Sequence, residues 1–130
     1  MTLFRRVLVT GSRDWTDEAP IRASLESQLA EWGGISVIHG ACRGADEIAG
    51  QWARDCIFSR RPVRLEVYPA NWTAHGKRAG PLRNRQMLET GVDVCLAFIM
   101  PGSRGAEDCV RAAMAANVPC IVHRPDSQLN

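Results

Sequence analysis

The sequence predicts a single α/β domain in which a mainly parallel sheet carries helices on both faces. Short apolar runs alternate along the chain with segments of helical periodicity, which is the pattern of successive β-α-β units. Most of these runs are continuously apolar, as in strands that are buried on both faces. The length of 130 residues suits one domain, which we assign to residues 1–124. Residues 125–130 are expected to form a polar, disordered tail.

Five segments are predicted to be strands from their apolar and β-branched content. The third alternates apolar and charged residues, as expected for a strand near the edge of a sheet. The fourth is the most hydrophobic, so we expect it to be central. In chain order the five strand segments are residues 6–10, 35–40, 63–68, 92–100 and 120–123.

Two helices are predicted in the first half of the chain. Asp17 is a suitable N-cap for the first helix, and the glycine at position 33 ends it. Apolar residues at helical spacing within it put Trp32 on the buried face. The second helix extends over residues 45–56 and has the clearest amphipathic pattern in the chain, with Trp52 on its apolar face. Both tryptophans are therefore expected in the core.

A long loop and two further helices are predicted in the second half of the chain. A polar, glycine-rich loop over residues 69–81 precedes a helix at about residues 82–89. The last helix follows the fourth strand and shows one apolar face at helical spacing. The residues expected on that face are Ala106, Cys109, Val110, Ala113 and Met114.

Composition and charge exclude several classes of protein. The net charge of +2 is too small to indicate nucleic-acid binding by charge alone, and no apolar run approaches the roughly 20 residues that cross a bilayer. The five cysteines contain no Cys-x-x-Cys pair, and neither they nor the three histidines show metal-ligand spacing. We expect reduced thiols in a cytoplasmic protein, with no membrane association, no metal and no resident cofactor.

Three loops that follow strands each contain both glycine and arginine. Glycine lets the backbone approach a ligand, a helix N-terminus offers free N–H groups, and arginine adds a bidentate donor for phosphate. Parallel strands end at one edge of the sheet, so these loops predict a single phosphate site, although glycine could simply end strands and arginine cover surface. The predicted phosphate-binding residues are Gly11, Ser12 and Arg13, then Gly40, Arg43 and Gly44, then Pro101, Gly102, Ser103, Arg104 and Gly105.

Basic residues also concentrate in the segment WTAHGKRAGPLRNRQM, which starts at position 72. A basic segment beside a phosphate site is typical of a lid, with Lys77 as a further phosphate ligand, although a solvated basic turn would look the same. Trp15 and Trp72 lie in loops rather than on helical faces. They could stack on a base or anchor their loops to the core.

The motifs GSRDW, HGACRGAD, GKRAGPLRNRQM and PGSRGAEDCVRAA together resemble the SLOG superfamily of Rossmann-like proteins. Within that superfamily they are most similar to the YspA-like branch of small bacterial and phage proteins. The resemblance implies a Rossmann-like, five-stranded sheet of order 3-2-1-4-5, in which the first and fourth strands are neighbours. It also implies that the two Gly-Ser-Arg loops after those strands are facing walls of one phosphate site.

Two better-known relatives bear on function. HGACRGAD is similar to a loop of the DprA family, which binds single-stranded DNA. RNRQM and PGSRGAED are similar to motifs of the Lonely Guy family, which cleaves the N-glycosidic bond of cytokinin nucleotides. The second resemblance implies that Arg83 contacts the nucleotide near that bond. Asn84, which stands where that family has lysine, is a further predicted nucleotide-binding residue. Pro101, Gly102 and Gly105 match the phosphate-binding loop of that family.

Cys109 departs from the Lonely Guy pattern at the position of the glutamate on which hydrolysis depends, and Ala106 replaces a threonine. Cleavage of an N-glycosidic bond builds positive charge on the sugar, which a carboxylate must stabilise. Asp46, Glu107 and Asp108 are candidate substitute acids, and Asp46 could instead cap the second helix. Asp108, also close in sequence, is expected with Glu107 to point elsewhere from the helix.

The sequence therefore favours binding or sensing of a nucleotide-type small molecule, such as an ADP-ribose-like, NAD-derived or nucleoside monophosphate ligand. One alternative is a hydrolase that releases base from nucleoside 5′-monophosphates, with Arg83, Asp46 and Glu107 as catalytic residues. A second alternative is a binder of single-stranded DNA, for which the net charge of +2 is a weak electrostatic footprint. In a third, the loops mediate self-association, and the partner is a second copy in a homodimer.

Overall fold

The computed structural model describes residues 3–125 as an α/β domain of five strands and five α-helices. A 3₁₀ turn at Gly76–Arg78 joins α3 to α4. In chain order the elements are β1 (Arg5–Gly11), α1 (Glu18–Trp32), β2 (Ile35–His39), α2 (Ala45–Phe58), β3 (Val63–Val67), α3 (Trp72–His75), α4 (Ala79–Glu89), β4 (Val94–Phe98), α5 (Arg104–Ala115) and β5 (Cys120–His123).

All five strands are parallel and lie in the order β3-β2-β1-β4-β5, which confirms the predicted architecture. The chain starts in the middle of the sheet, builds outward to β3, and then crosses to β4 on the other side of β1. The strand order therefore reverses between β1 and β4, and their carboxyl ends flank the crevice where ligands bind in open α/β sheets. In that pair Gly11 is in register with Phe98.

Alternate residues of the strands pack into two hydrophobic layers, one on each face of the sheet. Val7 and Val9 of β1 pack with the apolar residues of α1 and α2. Leu8, between them, packs on the opposite face against Met87 of α4 and Cys109 of α5. This two-sided burial explains the continuous apolar runs and confirms the predicted helices on both faces.

The boundaries of α1 follow the predicted signals. The Asp17 carboxylate accepts a hydrogen bond from the Ala19 N–H at 3.2 Å, as an N-cap does. Gly33 ends the helix in the left-handed conformation, with φ of 77°, and its N–H donates to the Leu29 carbonyl. A short sequence signal is sufficient at both ends because each cap is formed by neighbouring residues.

The segment predicted as a loop over residues 69–81 is instead largely helical. Asn71 caps α3 by accepting the Ala74 N–H at 3.0 Å. Helix α4 begins at Ala79, three residues before the predicted start, so that Gly80 and Pro81 lie in its first turn. Proline is tolerated there because the first N–H groups of a helix have no acceptor within the helix.

Two residues predicted on buried faces are exposed. Trp32 is 46% exposed at the end of α1, where its ring lies 4.0 Å from the Arg5 guanidinium. Met114 is 63% exposed near the end of α5, although Cys109 and Ala113 of the same helix are buried as expected. Helical periodicity identifies the side of a helix that faces the sheet, and it does not reveal where the helix extends beyond its neighbours.

Among residues 3–125, no helix is long and apolar enough to cross a membrane. The five cysteines are free thiols. The tail predicted to be disordered lies, from residue 126 onward, outside the described residues.

The burial difference between Leu25 and Met114 predicts a difference in stability. Leu25 is fully buried between α1 and the sheet, so Leu25→Ala should lower the free energy of unfolding by about 2–5 kcal/mol. Met114→Ala should change it by no more than about 0.5 kcal/mol. Urea unfolding followed by circular dichroism measures both. Equal losses would contradict the burial of these two side chains.

Candidate functional site

A cleft of about 590 Å³ lies at the carboxyl ends of β1 and β4, between the loops that follow them and the start of α4. Its lining contains five basic and three acidic side chains. The lining residues are Thr10, Gly11, Arg13, Asp14, Cys42, Asp46, Trp72, Lys77, Gly80, Pro81, Arg83, Asn84, Met87, Pro101, Gly102, Ser103, Arg104, Gly105, Ala106, Asp108 and Arg111.

The two Gly-Ser-Arg loops line the same cleft and are joined by Ser12 of the first. The Ser12 N–H donates to the Phe98 carbonyl at 2.9 Å, and its hydroxyl accepts the Met100 N–H at 2.7 Å. The side chain is 1% exposed and does not line the cleft. Ser12 was predicted to bind phosphate, whereas the structure buries it as a link between the ends of β1 and β4.

Two glycines allow the second loop to approach the first. A Cβ on Gly11 would clash with Ala45 at the start of α2 and with the Phe98 carbonyl. Gly44, with φ of 75°, lies so close to the Ser12 carbonyl that no side chain fits. Gly44 therefore serves the packing of two loops, and Gly11 serves this packing as well as lining the cleft.

The N-terminus of α5 presents free backbone N–H groups to the cleft. Ser103 is the N-cap, and its side chain makes no capping hydrogen bond. Gly102 precedes it with φ of 79°, and a Cβ on Gly102 or Gly105 would meet no atom within 4 Å. The first turn of this 12-residue helix is thus uncapped, open and flanked by Arg104. Such a turn attracts anions through its N–H groups and the helix dipole.

Arg83 of α4 is only 9% exposed and is fixed in place by short contacts. Its Nη1 donates to the Gly40 carbonyl at 2.5 Å, and its Nε donates to Asn84 Oδ1 at 3.0 Å. Nη2 lies 3.8 Å from the sulfur of Cys42. Gly40 must lack a side chain because a Cβ there would clash with the guanidinium. Arg83 therefore joins α4 to the end of β2 on the floor of the cleft.

Asn84 connects Arg83 to α5. Its Oδ1 accepts from Arg83, and its Nδ2 donates to Asp108 Oδ2 at 3.0 Å. Asp108 lines the cleft, although the sequence predicted that it would point elsewhere. Asn84 is 3% exposed and so positions its two charged neighbours from within the wall of the cleft.

Asp46 supplies a buried carboxyl group to the cleft. Its Oδ2 accepts the N–H groups of Gly40 at 3.0 Å and Cys42 at 3.3 Å, and its Oδ1 has no partner among the described residues. Gly44 occupies the N-cap position of α2, so Asp46 folds the preceding loop rather than capping the helix. Burial raises the pKa of Asp46 from 3.8 to about 6, which outweighs the opposing hydrogen bonds from Cys42 and Gly40 and the charges of Arg83 and Arg13.

The aromatic side of the cleft is formed by Trp72. Trp72 is 48% exposed, and the Arg13 guanidinium lies 5.7 Å from its ring. Gly80 allows this approach of α3 to α4, because a Cβ there would lie 3.3 Å from the indole. The predicted lid segment thus brings an exposed aromatic ring, together with Lys77, to the mouth of the cleft.

Six residues predicted as functional do not line the cleft. Ser12 and Gly44 are described above, Gly40 and Arg43 line a smaller cavity beside the cleft, and the other two are Trp15 and Glu107. Trp15 is 5% exposed, packs edge-on against Phe98 at 5.6 Å and donates its indole N–H to the Asp17 carbonyl, so it cannot stack on a base. The Glu107 carboxylate pairs with Arg124 at 3.1 Å. Gly44 is used in loop packing. Beneath the cleft, Cys109 is fully buried in the core.

Asp14, Cys42 and Arg111 line the cleft without having been predicted to do so. The sequence could have predicted Arg111. Arg104, Asp108 and Arg111 are spaced four and three residues apart, so they share one face of α5, and Arg104 was already a predicted site residue. No comparable pattern marks Asp14 or Cys42, which reach the cleft through the paths of their loops. Within residues 3–125, no group of three or more potential ligands could hold a metal ion.

The buried carboxyl group of Asp46 predicts a dependence of stability on pH. Its pKa is about 6 in the folded protein and 3.8 in the reference state, so between these values the folded chain holds a proton that the unfolded chain has lost. Stability due to this group is complete below pH 4 and is lost as the pH rises through 6. Relative to Asp46→Asn, the free energy of unfolding should fall by on the order of 3 kcal/mol over this range.

Urea unfolding between pH 4 and 7 measures this difference. Asp55→Asn removes the same charge from an exposed position of the same helix, and should keep the wild-type profile. Parallel profiles for the wild type and Asp46→Asn would contradict the raised pKa of Asp46.

Known proteins similar to this chain include a sequence family, a phage protein and a solved domain. Residues 5–75 match the YspA, cpYpsA-related SLOG family. The Gene 61 protein of Mycobacterium phage D29 is 44% identical over 118 residues, which cover 90% of this chain and 94% of the phage protein. The C-terminal domain of a hydrogenase from Pyrococcus furiosus superposes with a TM-score of 0.49 at 16% identity, covering 95% of this chain and 94% of that domain. By its family match and its identity to the phage protein, this chain belongs to the YspA, cpYpsA-related SLOG family.

Proposed function

We propose that this protein binds a nucleotide or nucleotide derivative, with a phosphate at the N-terminus of α5. The observation that carries the proposal is the uncapped first turn of α5, which opens into a cleft with five basic side chains. Arg13, Lys77, Arg104 and Arg111 form no ion pair with any residue between 3 and 125. Free cations around free backbone N–H groups are the chemistry that binds phosphate.

The order of the strands supports a nucleotide rather than free phosphate. The N-terminus of α5 follows β4, Gly11 follows β1, Asp46 follows β2, and Trp72 follows β3. Neighbouring strands lie about 4.8 Å apart, so these groups are spread along the edge of the sheet over roughly 14 Å. Phosphate, sugar and base are joined in that order in a nucleotide, which matches a cationic end, a polar floor and an aromatic ring.

The sugar and the base are then recognised by different parts of the cleft. The polar floor, formed by Asp46 and Arg83, offers a carboxyl oxygen and guanidinium N–H groups to the ribose hydroxyls. The exposed ring of Trp72 stacks on the base, and base stacking on an aromatic side chain contributes about 1–3 kcal/mol. Stacking discriminates little between bases, because every base has an aromatic face. We therefore expect the affinity to depend more on the phosphate and sugar than on the identity of the base.

The proposal is tested by calorimetry with adenosine monophosphate, adenosine diphosphate and ADP-ribose. Gly105→Ala should weaken binding of whichever nucleotide binds the wild type, because the methyl group enters the space where we place the phosphate. Apart from its chain neighbours and the backbone of α5, no protein atom among residues 3–125 lies within 4 Å of the added methyl group. Removing a helical glycine should leave stability equal or raise it by up to about 1 kcal/mol.

Met114→Ala is the matched control, since Met114 lies on the same helix away from the cleft. Its affinity for the nucleotide should equal that of the wild type. Failure of every nucleotide to bind at millimolar concentration would exclude the proposed function. Unchanged affinity in Gly105→Ala would exclude the N-terminus of α5 as the phosphate site.

A second candidate function is hydrolysis of the N-glycosidic bond of a nucleoside monophosphate. The observation in its favour is the presence of two carboxyl groups, those of Asp46 and Asp108, in the cleft lining. Position 109 is cysteine where the Lonely Guy family has its essential glutamate, but the cleft still contains acidic side chains. Asn84 holds the Asp108 carboxylate, which could stabilise positive charge developing on the sugar.

If the protein is this hydrolase, the wild type should release adenine from adenosine monophosphate. Chromatography of the products measures the adenine released. Asp108→Asn should lower the rate at least about tenfold, because an amide cannot stabilise the developing charge as a carboxylate does. Glu107→Gln, one residue away but paired with Arg124 outside the cleft, should keep the wild-type rate. Absence of free base, even after prolonged incubation with wild-type protein, would leave binding as the function.

A further inference from the structure

A smaller cavity of about 360 Å³ adjoins the cleft at the ends of β2 and β3. It shares Arg13, Cys42, Trp72 and Arg83 with the larger cleft, so the two spaces are continuous. The remaining lining consists of Gly40, Ala41, Arg43, Pro69 and Ala70. Three arginines and no acidic residue line this cavity, whereas three carboxyl groups line the larger cleft.

The arginines of this smaller cavity lack counter-ions. Arg83 is 9% exposed, yet no carboxylate among the described residues lies within 4.0 Å of its guanidinium. Its Nη2 faces only the sulfur of Cys42 at 3.8 Å, which is a weak acceptor. Arg43 makes no side-chain hydrogen bond or ion pair within residues 3–125. Arg83 is hydrogen-bonded, but a buried cation without a counter-ion is costly, and an anion that enters the cavity lowers that cost.

We infer that the smaller cavity is a second anion subsite, and that the ligand is a nucleotide with phosphates on both sides of its nucleoside. The inference rests on the proposed function, because it places the first phosphate at the N-terminus of α5. Trp72 lines both spaces, so a nucleoside stacked on it adjoins both anion subsites. A 3′,5′-bisphosphate has this arrangement of charge, whereas a 5′-monophosphate fills one subsite only.

The layout of the loops supports two subsites rather than one broad basic surface. The N-terminus of α5 follows β4, while Gly40 and Arg43 follow β2, on the other side of the central β1. The second subsite is therefore separated from the first by about two strand spacings, or roughly 10 Å. Ala41 adopts φ of 63°, and its N–H donates to His39 Nδ1, which fixes the backbone beside the second subsite.

The test compares adenosine 5′-monophosphate with adenosine 3′,5′-bisphosphate by calorimetry on the intact chain. The bisphosphate should bind the wild type at least about tenfold more tightly, as expected for an added charge-assisted hydrogen bond. Its affinity should also fall more steeply with salt, by about one further unit of slope in the logarithmic plot.

Arg43→Gln should remove most of this advantage while leaving the affinity for the monophosphate unchanged, because Arg43 lines only the smaller cavity. Arg54→Gln, which removes an arginine from an exposed position of α2, is the control and should preserve the tenfold preference. Both positions are exposed, so neither substitution should affect folding.

Each outcome decides the inference. Equal affinity of the wild type for both ligands overturns the second subsite and leaves nucleotide binding intact. A preference for the bisphosphate that survives Arg43→Gln also overturns it, because the second phosphate then lies elsewhere. If neither ligand binds, the proposed function and the inference fall together. A preference that is lost in Arg43→Gln alone supports the second subsite.

Discussion

The cleft depends on the two hydrogen bonds by which Ser12 joins the ends of β1 and β4. Its N–H donates to the Phe98 carbonyl, and its hydroxyl accepts the Met100 N–H. These bonds extend the pairing of the two strands beyond their last residues and hold the loops that follow on either side of one crevice. One of these bonds is made by the Ser12 backbone and the other by its buried hydroxyl, and losing the hydroxyl would leave the Met100 N–H without this acceptor. The Ser12 carbonyl also accepts the Ala45 N–H at 3.3 Å, which ties the start of α2 to the same residue.

A second set of contacts joins the helices to that crevice and concentrates charge in it. Arg83 connects α4 to the end of β2, and Asn84 continues the connection to Asp108 of α5. Arg83 and Asp46 are both buried, so this part of the cleft holds a guanidinium and a carboxyl group that form no ion pair with each other. Buried charges of this kind are unfavourable for folding alone, and groups with perturbed pKa values concentrate where ligands bind. In the proposed complex, the phosphates of the nucleotide would bind the guanidinium and N–H groups that lack acidic partners within residues 3–125. Ligand binding would then explain why these charged groups are buried.

Much of the fold was predictable because its signals are local or repeat along the chain. The Asp17 cap, the amphipathic pattern of α2 and the apolar content of β4 depend on residues that are close in sequence. Strand order came from the resemblance of whole motifs and is confirmed by the all-parallel pairing. The predictions of burial were wrong where burial depends on how far a helix extends past the elements that pack against it. Trp32 and Met114 follow the helical period, yet they extend beyond the layer that would cover them.

The sequence by itself determined that glycine and arginine follow the parallel strands, and hence that an anion site was to be expected at one edge of the sheet. Only the tertiary structure decided which side chains line the cleft at that edge. Ser12 and Trp15 lie in a loop that was predicted to be functional from its glycine, arginine and tryptophan. Both side chains are buried: Ser12 is hydrogen-bonded to Phe98, and Trp15 packs against the Phe98 ring. Asp108 faces the cleft and Glu107 faces Arg124, although they are adjacent. The physical reason is that composition specifies the chemistry of a loop, while orientation depends on contacts with residues far away in the chain.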